Sequence, residues 1–510
     1  MRWIFFFYFS CCSWISLVQG NANELLIHQL EAEKVLNKIV TAIGETREVP
    51  LIEVRGGRKN IAEYNAIEKK IYVDQLAMKV CSKLGFSESA VAFLIGHELA
   101  HYYQQDKWAV DSTSFLSTAD EFKEHQEAEQ EADIYGAFIS HLAGYETTQV
   151  IPPLLHALYQ AYEVKAQSNH PSIEIRQQVA EEVCEKISSL IGIHQAANCA
   201  MAIGDYNNAL ATYEYLAQFV GYRELYNNIG VASLSMVLSV RDQSSLAFLY
   251  PIAIEQNIPL RTASEYEKLV LLQKATTAFK RATDYGAFDF STHLNLACVY
   301  EISQQEADFL SLLNFLKSNA YSPNMQSKTA ILEGIYTAKF NKKKAIKLFS
   351  TAIKQSDNEG IKQLGTYNKK VVKKNSTIYP FEQELSLDLN TNINGINLFT
   401  YRATEGAKYT LKNQNLLIAN QKAITIYSFL QNNYTIHITY TSSSDLSTKD
   451  NIKKGNTFDD LLLIYGEPSL STLTTHHGYY VTYLELGLFF KLDQRNTIEK
   501  WGTFLLGGVK

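Results

Sequence analysis

Proline and glycine are scarce, at 9 and 25 in 510 residues. With 46% hydrophobic and 20% charged residues, that scarcity excludes a disordered, collagen-like or low-complexity chain. An excess of one charge is missing as well. Lys and Arg number 47 against 53 Asp and Glu, a formal −6, which leaves no overall electrostatic footprint for nucleic acid. No Cys-x-x-Cys occurs. Cys11 and Cys12 fall in the first twenty residues, and Cys81, Cys184, Cys199 and Cys298 are far apart in apolar helical patterns. Buried free thiols are the expectation there, and cysteine is not a metal ligand. Beyond residue 20 no apolar run resembles a transmembrane span.

What is present begins with a targeting segment. Arg2 supplies one positive charge, Trp3 to Val18 is almost wholly apolar, and Val18-Gln19-Gly20 provides a cleavage site. Residues 1–20 therefore read as a secretory signal peptide. An uncleaved anchor is the alternative, disfavoured because the run is shorter than the ~20 residues of a spanning helix and is interrupted by Ser10-Cys11-Cys12-Ser13.

The length suggests about three further regions. In the first, Glu24 to Ile43 is an amphipathic helix, Pro50 to Val54 a strand, and Ile61–Tyr64 with Ile71–Val73 a hairpin. Asp74 caps a helix ending near Gly85, and Ser87 caps a mostly buried one, Glu88 to about Gln104. That second helix contains His97-Glu98-Leu99-Ala100-His101. Positions i and i+4 share a helix face, so both imidazoles can reach one ion, and Glu98 is placed to take a proton from water. Catalytic zinc usually has three protein ligands and an open site. The acidic helix from Glu127 to Gly136 offers the third, because Glu129 and Asp133 share a face: one can ligate while the other orients a ligand histidine.

His97-Glu98-Leu99-Ala100-His101 followed by Glu129-Gln130-Glu131-Ala132-Asp133 resembles the HExxH…ExxAD signature of the M48 zinc metallopeptidases. The resemblance covers about residues 30–185. It implies Glu129 as the third zinc ligand, Asp133 as the orienting acid, and one zinc ion per chain. Asn169-His170-Pro171 with Arg176 resembles the family's His-Pro…Arg segment, which implies His170 as a switch or fourth ligand and Arg176 near the site; taken alone, His170 reads equally as a helix-capping surface residue and Arg176 as a surface ion-pair partner. The expected chemistry is peptide hydrolysis with Glu98 as general base, the substrate adding to the edge strand near Ile61–Asn65. Lys107 to Glu124 is either a lid or a plain surface loop.

From Ala197 onward a period of 33–34 residues emerges. Gly204-Asp205-Tyr206 with Ala209, Tyr213 and Leu216 matches the second helix of a tetratricopeptide repeat, and Tyr226 with Asn228-Ile229-Gly230 opens the next. After an insertion, Ser244 to Ser264, the pattern resumes at Ala275, Phe279 and Ala282, then at Leu296–Tyr300 and at Leu332–Ala352. Strands follow from about Asn375: Leu385–Leu389, Leu398–Tyr401, Ala423–Tyr427, Tyr434–Tyr440, Tyr479–Tyr483, Leu488–Leu492 and Ile498–Trp501. Gly455-x-Thr457 with Tyr465-Gly466-x-Pro468 resembles small modules of outer-membrane assembly factors. His476-His477 reads as an exposed loop pair.

The expected class is α+β: a signal peptide over 1–20, a mostly helical zincin-type protease domain over 21–190, an α-solenoid of tetratricopeptide repeats over 191–370, and a β-rich α+β domain over 371–510. The expected function is an exported, periplasmic zinc endopeptidase acting on unfolded or misassembled polypeptides. Envelope or outer-membrane assembly proteins are possible partners, with no nucleic acid and no transmembrane span in the mature chain. The alternative is a chaperone or scaffold with a latent zinc site.

Overall fold

The computed structural model divides into two compact units, Met1–Gly192 with Phe219–Gly221, and Ile193–Gln218 with Tyr222–Lys510. It describes residues 4–44, 48–57, 60–105, 121–163, 173–239, 248–252, 265–374 except 287, and 392–509 except 399, 413, 422, 432–433, 474–478 and 494. The class is α+β, with the larger sheet confined to the C-terminal part. Among the described residues no helix is long and apolar enough to cross a membrane.

The first unit contains α1 (Ile4–Ala42), β1 (Leu51–Arg55), β2 (Ala62–Asn65), β3 (Lys70–Asp74), α2 (Gln75–Ser82), α3 (Ser87–Gln105), α4 (Glu121–Leu142), α5 (Thr147–Ala161) and the start of α6 (Ile173–Ala202). The amphipathic stretch from Glu24 thus continues a helix that begins at Ile4. Apolar Ile71-Tyr72-Val73 makes β3 the buried central strand, with β1 parallel on one side and β2 antiparallel on the other. β2 is therefore an edge strand. Asp74 precedes α2 but makes no capping bond. Its carboxylate instead accepts from the Tyr162 hydroxyl at 2.5 Å, tying α5's end to the sheet.

Two departures from helix rules place the neighbouring helices. Pro152 and Pro153 lie inside α5, and Pro152 has no N–H to give the Thr148 carbonyl. The Cys184 thiol donates to that carbonyl at 3.4 Å, so this half-buried cysteine answers a bond that proline removes. All four described cysteines are free thiols, and Cys81, Cys199 and Cys298 are buried. Second, α3 and α4 meet backbone to backbone. A Cβ on Gly96 would lie 2.5 Å from the Gly136 carbonyl, and one on Gly136 would lie 2.5 Å from the His97 nitrogen. Only hydrogen fits at both positions. Ser140 fixes the crossing by donating to the Ala92 carbonyl at 2.8 Å.

The second unit continues with α7 (Tyr206–Leu216), α8 (Arg223–Ser239), α9 (Glu265–Thr283), α10 (Phe290–Ile302), α11 (Glu306–Ser318), α12 (Pro323–Ala338), α13 (Lys342–Gln355) and α14 (Glu359–Lys374), each packed on the next. Asp205, Asp289, Ser322 and Asn341 cap helices by accepting the N–H three residues on. One packing device recurs. The Phe279 ring of α9 fills the space that a Cβ on Gly230 of α8 would need, and the Phe349 ring of α13 does the same at Gly334 of α12.

The C-terminal part holds β4 (Asn392–Ile393), β5 (Ile396–Asn397), β6 (Ala407–Leu411), β7 (Gln414–Gln421), β8 (Ile424–Leu430), β9 (Tyr434–Thr441), α15 (Phe458–Tyr465), β10 (Leu470–Leu473), β11 (Tyr479–Tyr483), β12 (Leu488–Leu492) and β13 (Ile498–Val509). The last eight strands form one antiparallel sheet in the order β10-β11-β12-β13-β9-β8-β7-β6. Trp501, Phe490, Val481, Ile426 and Leu461 pack one face. The other meets the start of the helical array, where Thr482 donates to the Ala202 carbonyl at 2.8 Å and Tyr427 to Gln195 at 3.1 Å.

The expected strand Leu398–Tyr401 is not formed: a turn follows β5 there, with Tyr401 bonding back to the Asn397 carbonyl. Leu385–Leu389 lies outside the described residues. β4, β5, β6, β7 and β10 are additional to the expected strands.

Candidate metal centre

The close approach at Gly96 and Gly136 sets the register of two helix faces. His97 and His101 lie one turn apart on α3, and Glu129 and Asp133 one turn apart on α4. The His97 and His101 Nε2 atoms are 3.1 Å apart. Glu129 spans them, with one carboxylate oxygen 3.3 Å from His97 Nε2 and the other 3.4 Å from His101 Nε2. The rings stand nearly perpendicular, at 82°. These three side chains are the one group among the described residues whose donor atoms converge closely enough to hold a metal ion.

Asp133 completes the arrangement from behind. His97 Nδ1–H donates to its carboxylate at 2.8 Å, so that in the neutral imidazole the Nε2 lone pair faces His101 and Glu129. Burial works against a charged imidazole at His97, yet the hydrogen bonds to Asp133 and Glu129 outweigh it and raise its pKa to about 10. Two imidazoles enclosed by carboxylates thus favour positive charge at their centre, which protons or a bound cation can supply.

Glu98 follows His97 on α3 and is close enough to His97 and Glu129 to interact with both. It is buried, and that burial raises its pKa to about 7, while nearby His97 and a hydrogen bond from the Tyr64 main chain pull the other way. Tyr64 belongs to β2. The carboxyl group therefore sits between the histidines and an edge strand, able to hold or release a proton near neutral pH.

His97, Glu98, His101, Glu129 and Asp133 are thus brought together. Arg176 falls in the first turn of α6, and its side chain is outside the described residues. So are His170, most of the 107–124 segment and His476-His477. Sequence reasoning missed Gly96: the glycine directly before His97 is visible in the sequence, but its approach to Gly136 is not. No known family's sequence model matches the chain, and no curated protein matches it either.

Proposed function

We propose that the chain is an exported, periplasmic zinc endopeptidase of the M48 type that hydrolyses peptide bonds in unfolded or misassembled polypeptides. The observation that carries this is the geometry of the three donors. Zinc bonds of ~2.0–2.1 Å in a tetrahedral site put neighbouring ligand atoms about 3.3–3.4 Å apart. The His97 and His101 Nε2 atoms stand 3.1 Å apart, and the two oxygens of the Glu129 carboxylate lie 3.3 Å from one and 3.4 Å from the other, so one donor atom from each residue is within reach of a single ion. Two imidazoles and one carboxylate are also a donor set that suits zinc.

When bound, zinc supplies Lewis acidity that polarises a carbonyl and makes water nucleophilic near neutral pH. The chain's residues do the rest. Asp133 holds His97 in the ligating tautomer. Glu98 accepts the proton of the attacking water and returns it to the leaving amine, a role suited by its burial and its place beside β2. The β2 edge offers main-chain hydrogen bonds to an extended peptide, a mode that selects flexible segments over folded ones. The repeated glycine–phenylalanine locks support a tetratricopeptide reading of the helical array, which with the C-terminal sheet would serve substrate or envelope-partner binding.

The test compares casein cleavage by the zinc-loaded chain from Asn21 with that by Glu98→Gln. Cleavage by the wild type alone is expected. If neither cuts, His170→Ala distinguishes a latent peptidase, which gains activity, from a chaperone or scaffold, which stays silent with zinc bound.

A further inference from the structure

Charge is spread very unevenly along this chain. Residues 339–374 contain eleven lysines, no arginine and two acids, Asp357 and Glu359. That stretch carries +9 in a chain whose total is −6, leaving −15 for the remainder. Helix geometry then segregates it. On α13, Ala345, Phe349 and Ala352 are buried, while Lys343, Lys344, Lys347 and Lys354 lie on the opposite side and are exposed. On α14, Ile361, Asn368 and Val372 are buried, and Lys370 and Lys373 are exposed.

Other lysines of the helical array do form ion pairs: Lys274 meets Glu214 at 2.5 Å, Lys317 meets Glu333 at 2.7 Å, and Lys339, at the start of the stretch, meets Glu301 at 2.6 Å. Among the described residues, none of the six exposed lysines just named forms an ion pair with a carboxylate. The last helices of an array need a polar outer face, but mixed charges would provide one without self-repulsion. A face of a single sign gains most from an anionic partner.

The details favour a membrane surface. Lysine is a strongly hydrated point charge suited to a diffuse layer of headgroups, whereas arginine, the residue for bidentate phosphate and base-edge contacts, is absent from the stretch. Phe340, 67% exposed, stands in the turn leading into α13 between Lys339 and Lys342 and packs edge-on against Tyr336, an exposed aromatic ring next to the lysine stretch of the kind that enters a headgroup boundary.

We infer that the lysine face of α13, flanked by α14 and Phe340, seats this protein on an anionic phospholipid bilayer. The inference is independent of the peptidase reading.

The experiment is co-sedimentation of the full chain with phosphatidylcholine vesicles, with and without phosphatidylglycerol. Binding that requires phosphatidylglycerol and weakens with salt is expected. Each engaged lysine is worth roughly a five-fold change in affinity, so replacing Lys343, Lys344, Lys347 and Lys354 together by Gln should weaken binding by at least about fifty-fold. These exposed positions leave the core untouched, and circular dichroism checks that the fold is kept. Equal binding to both vesicle types would trace attachment to the apolar N-terminal segment and overturn the inference. So would unchanged binding by the four-fold variant. Displacement from the vesicles by mixed-sequence duplex DNA at equal phosphate concentration would assign the face to nucleic acid and also overturn it.

Discussion

Replacing Gly136 by alanine should uncouple metal binding from the donors that make it possible. The added Cβ would lie 2.5 Å from the His97 nitrogen and 2.6 Å from the Gly96 carbonyl oxygen, and ordinary contact begins at 3.4 Å. Both neighbours are backbone inside helices, so no side chain can swing aside. α3 and α4 must separate by roughly 0.9 Å at this point, an overpacking that typically costs about 1–3 kcal/mol. Glu129 lies two turns away on the same helix as Gly136, and its carboxylate spans His97 and His101. Its separations of 3.3 and 3.4 Å would widen by up to a comparable amount, past the roughly 3.3–3.4 Å donor spacing that tetrahedral bonds of ~2.0–2.1 Å favour. Zinc affinity, measured by competition with a chromophoric chelator, should fall by roughly 10–100-fold, the range seen when a ligand's support is lost. Zinc should raise the unfolding temperature of the wild type and do so much less for Gly136→Ala. Gly85→Ala is the control, because a Cβ there meets nothing within 4 Å. Wild-type zinc affinity in Gly136→Ala would refute the claim that the helix approach sets the donor geometry.

Three more predictions concern other links. Asp133→Asn should keep the fold, checked by circular dichroism, but lose roughly 10–100-fold in zinc affinity in the same chelator competition, because the amide no longer enforces the His97 tautomer. His437 is buried beside Ser428 at 2.9 Å, and burial lowers its pKa to about 4 from the usual 6.5. The unfolded chain therefore takes up the proton first. The stabilisation is fully present above pH 6.5 and declines toward pH 4, by up to about 3 kcal/mol. His437→Asn should flatten this part of the stability profile, read by denaturant unfolding at several pH values. Phe349→Ala should destabilise the second unit by about 3–5 kcal/mol in denaturant titration, since the ring is fully buried and fills the space over Gly334; a loss below 1 kcal/mol would mean that the lock contributes little.

Local periodicity explains what was legible. β11 and β12 coincide with the strands read from Tyr479–Tyr483 and Leu488–Leu492 because aromatic and aliphatic residues dominate each strand and turn residues bound them. The spacing of His97 and His101, and of Glu129 and Asp133, fixed which side chains share a helix face. That the two faces meet depends on Gly96 against Gly136, a contact between residues forty apart that no local pattern reveals. β7 escaped notice because Gln414, Asn415, Asn420 and Gln421 dilute its apolar centre, though Leu416 to Ala419 are buried. Leu398–Tyr401 looked like a strand by composition, but Tyr401 closes a turn back onto Asn397. Asp74 sat at the right position for a cap, and Tyr162, distant in sequence, took its carboxylate instead.

The position of β13 has a consequence for how the chain is made. It is the last strand in sequence, yet it lies between β12 and β9 at the middle of the eight-stranded sheet. During synthesis from the N-terminus, β6 to β9 and β10 to β12 can each pair in turn, but they remain two separate ribbons until Ile498–Val509 emerges. Until then β9 and β12 both present open hydrogen-bonding edges, lined by residues such as Ile438 and Phe490 that end fully buried. Gly502 marks the tightest point of the closure, where a side chain would collide with the Thr439 carbonyl and the Phe489 ring. The sheet is thus completed in a single late step, and the nascent protein is most prone to aggregation just before that step.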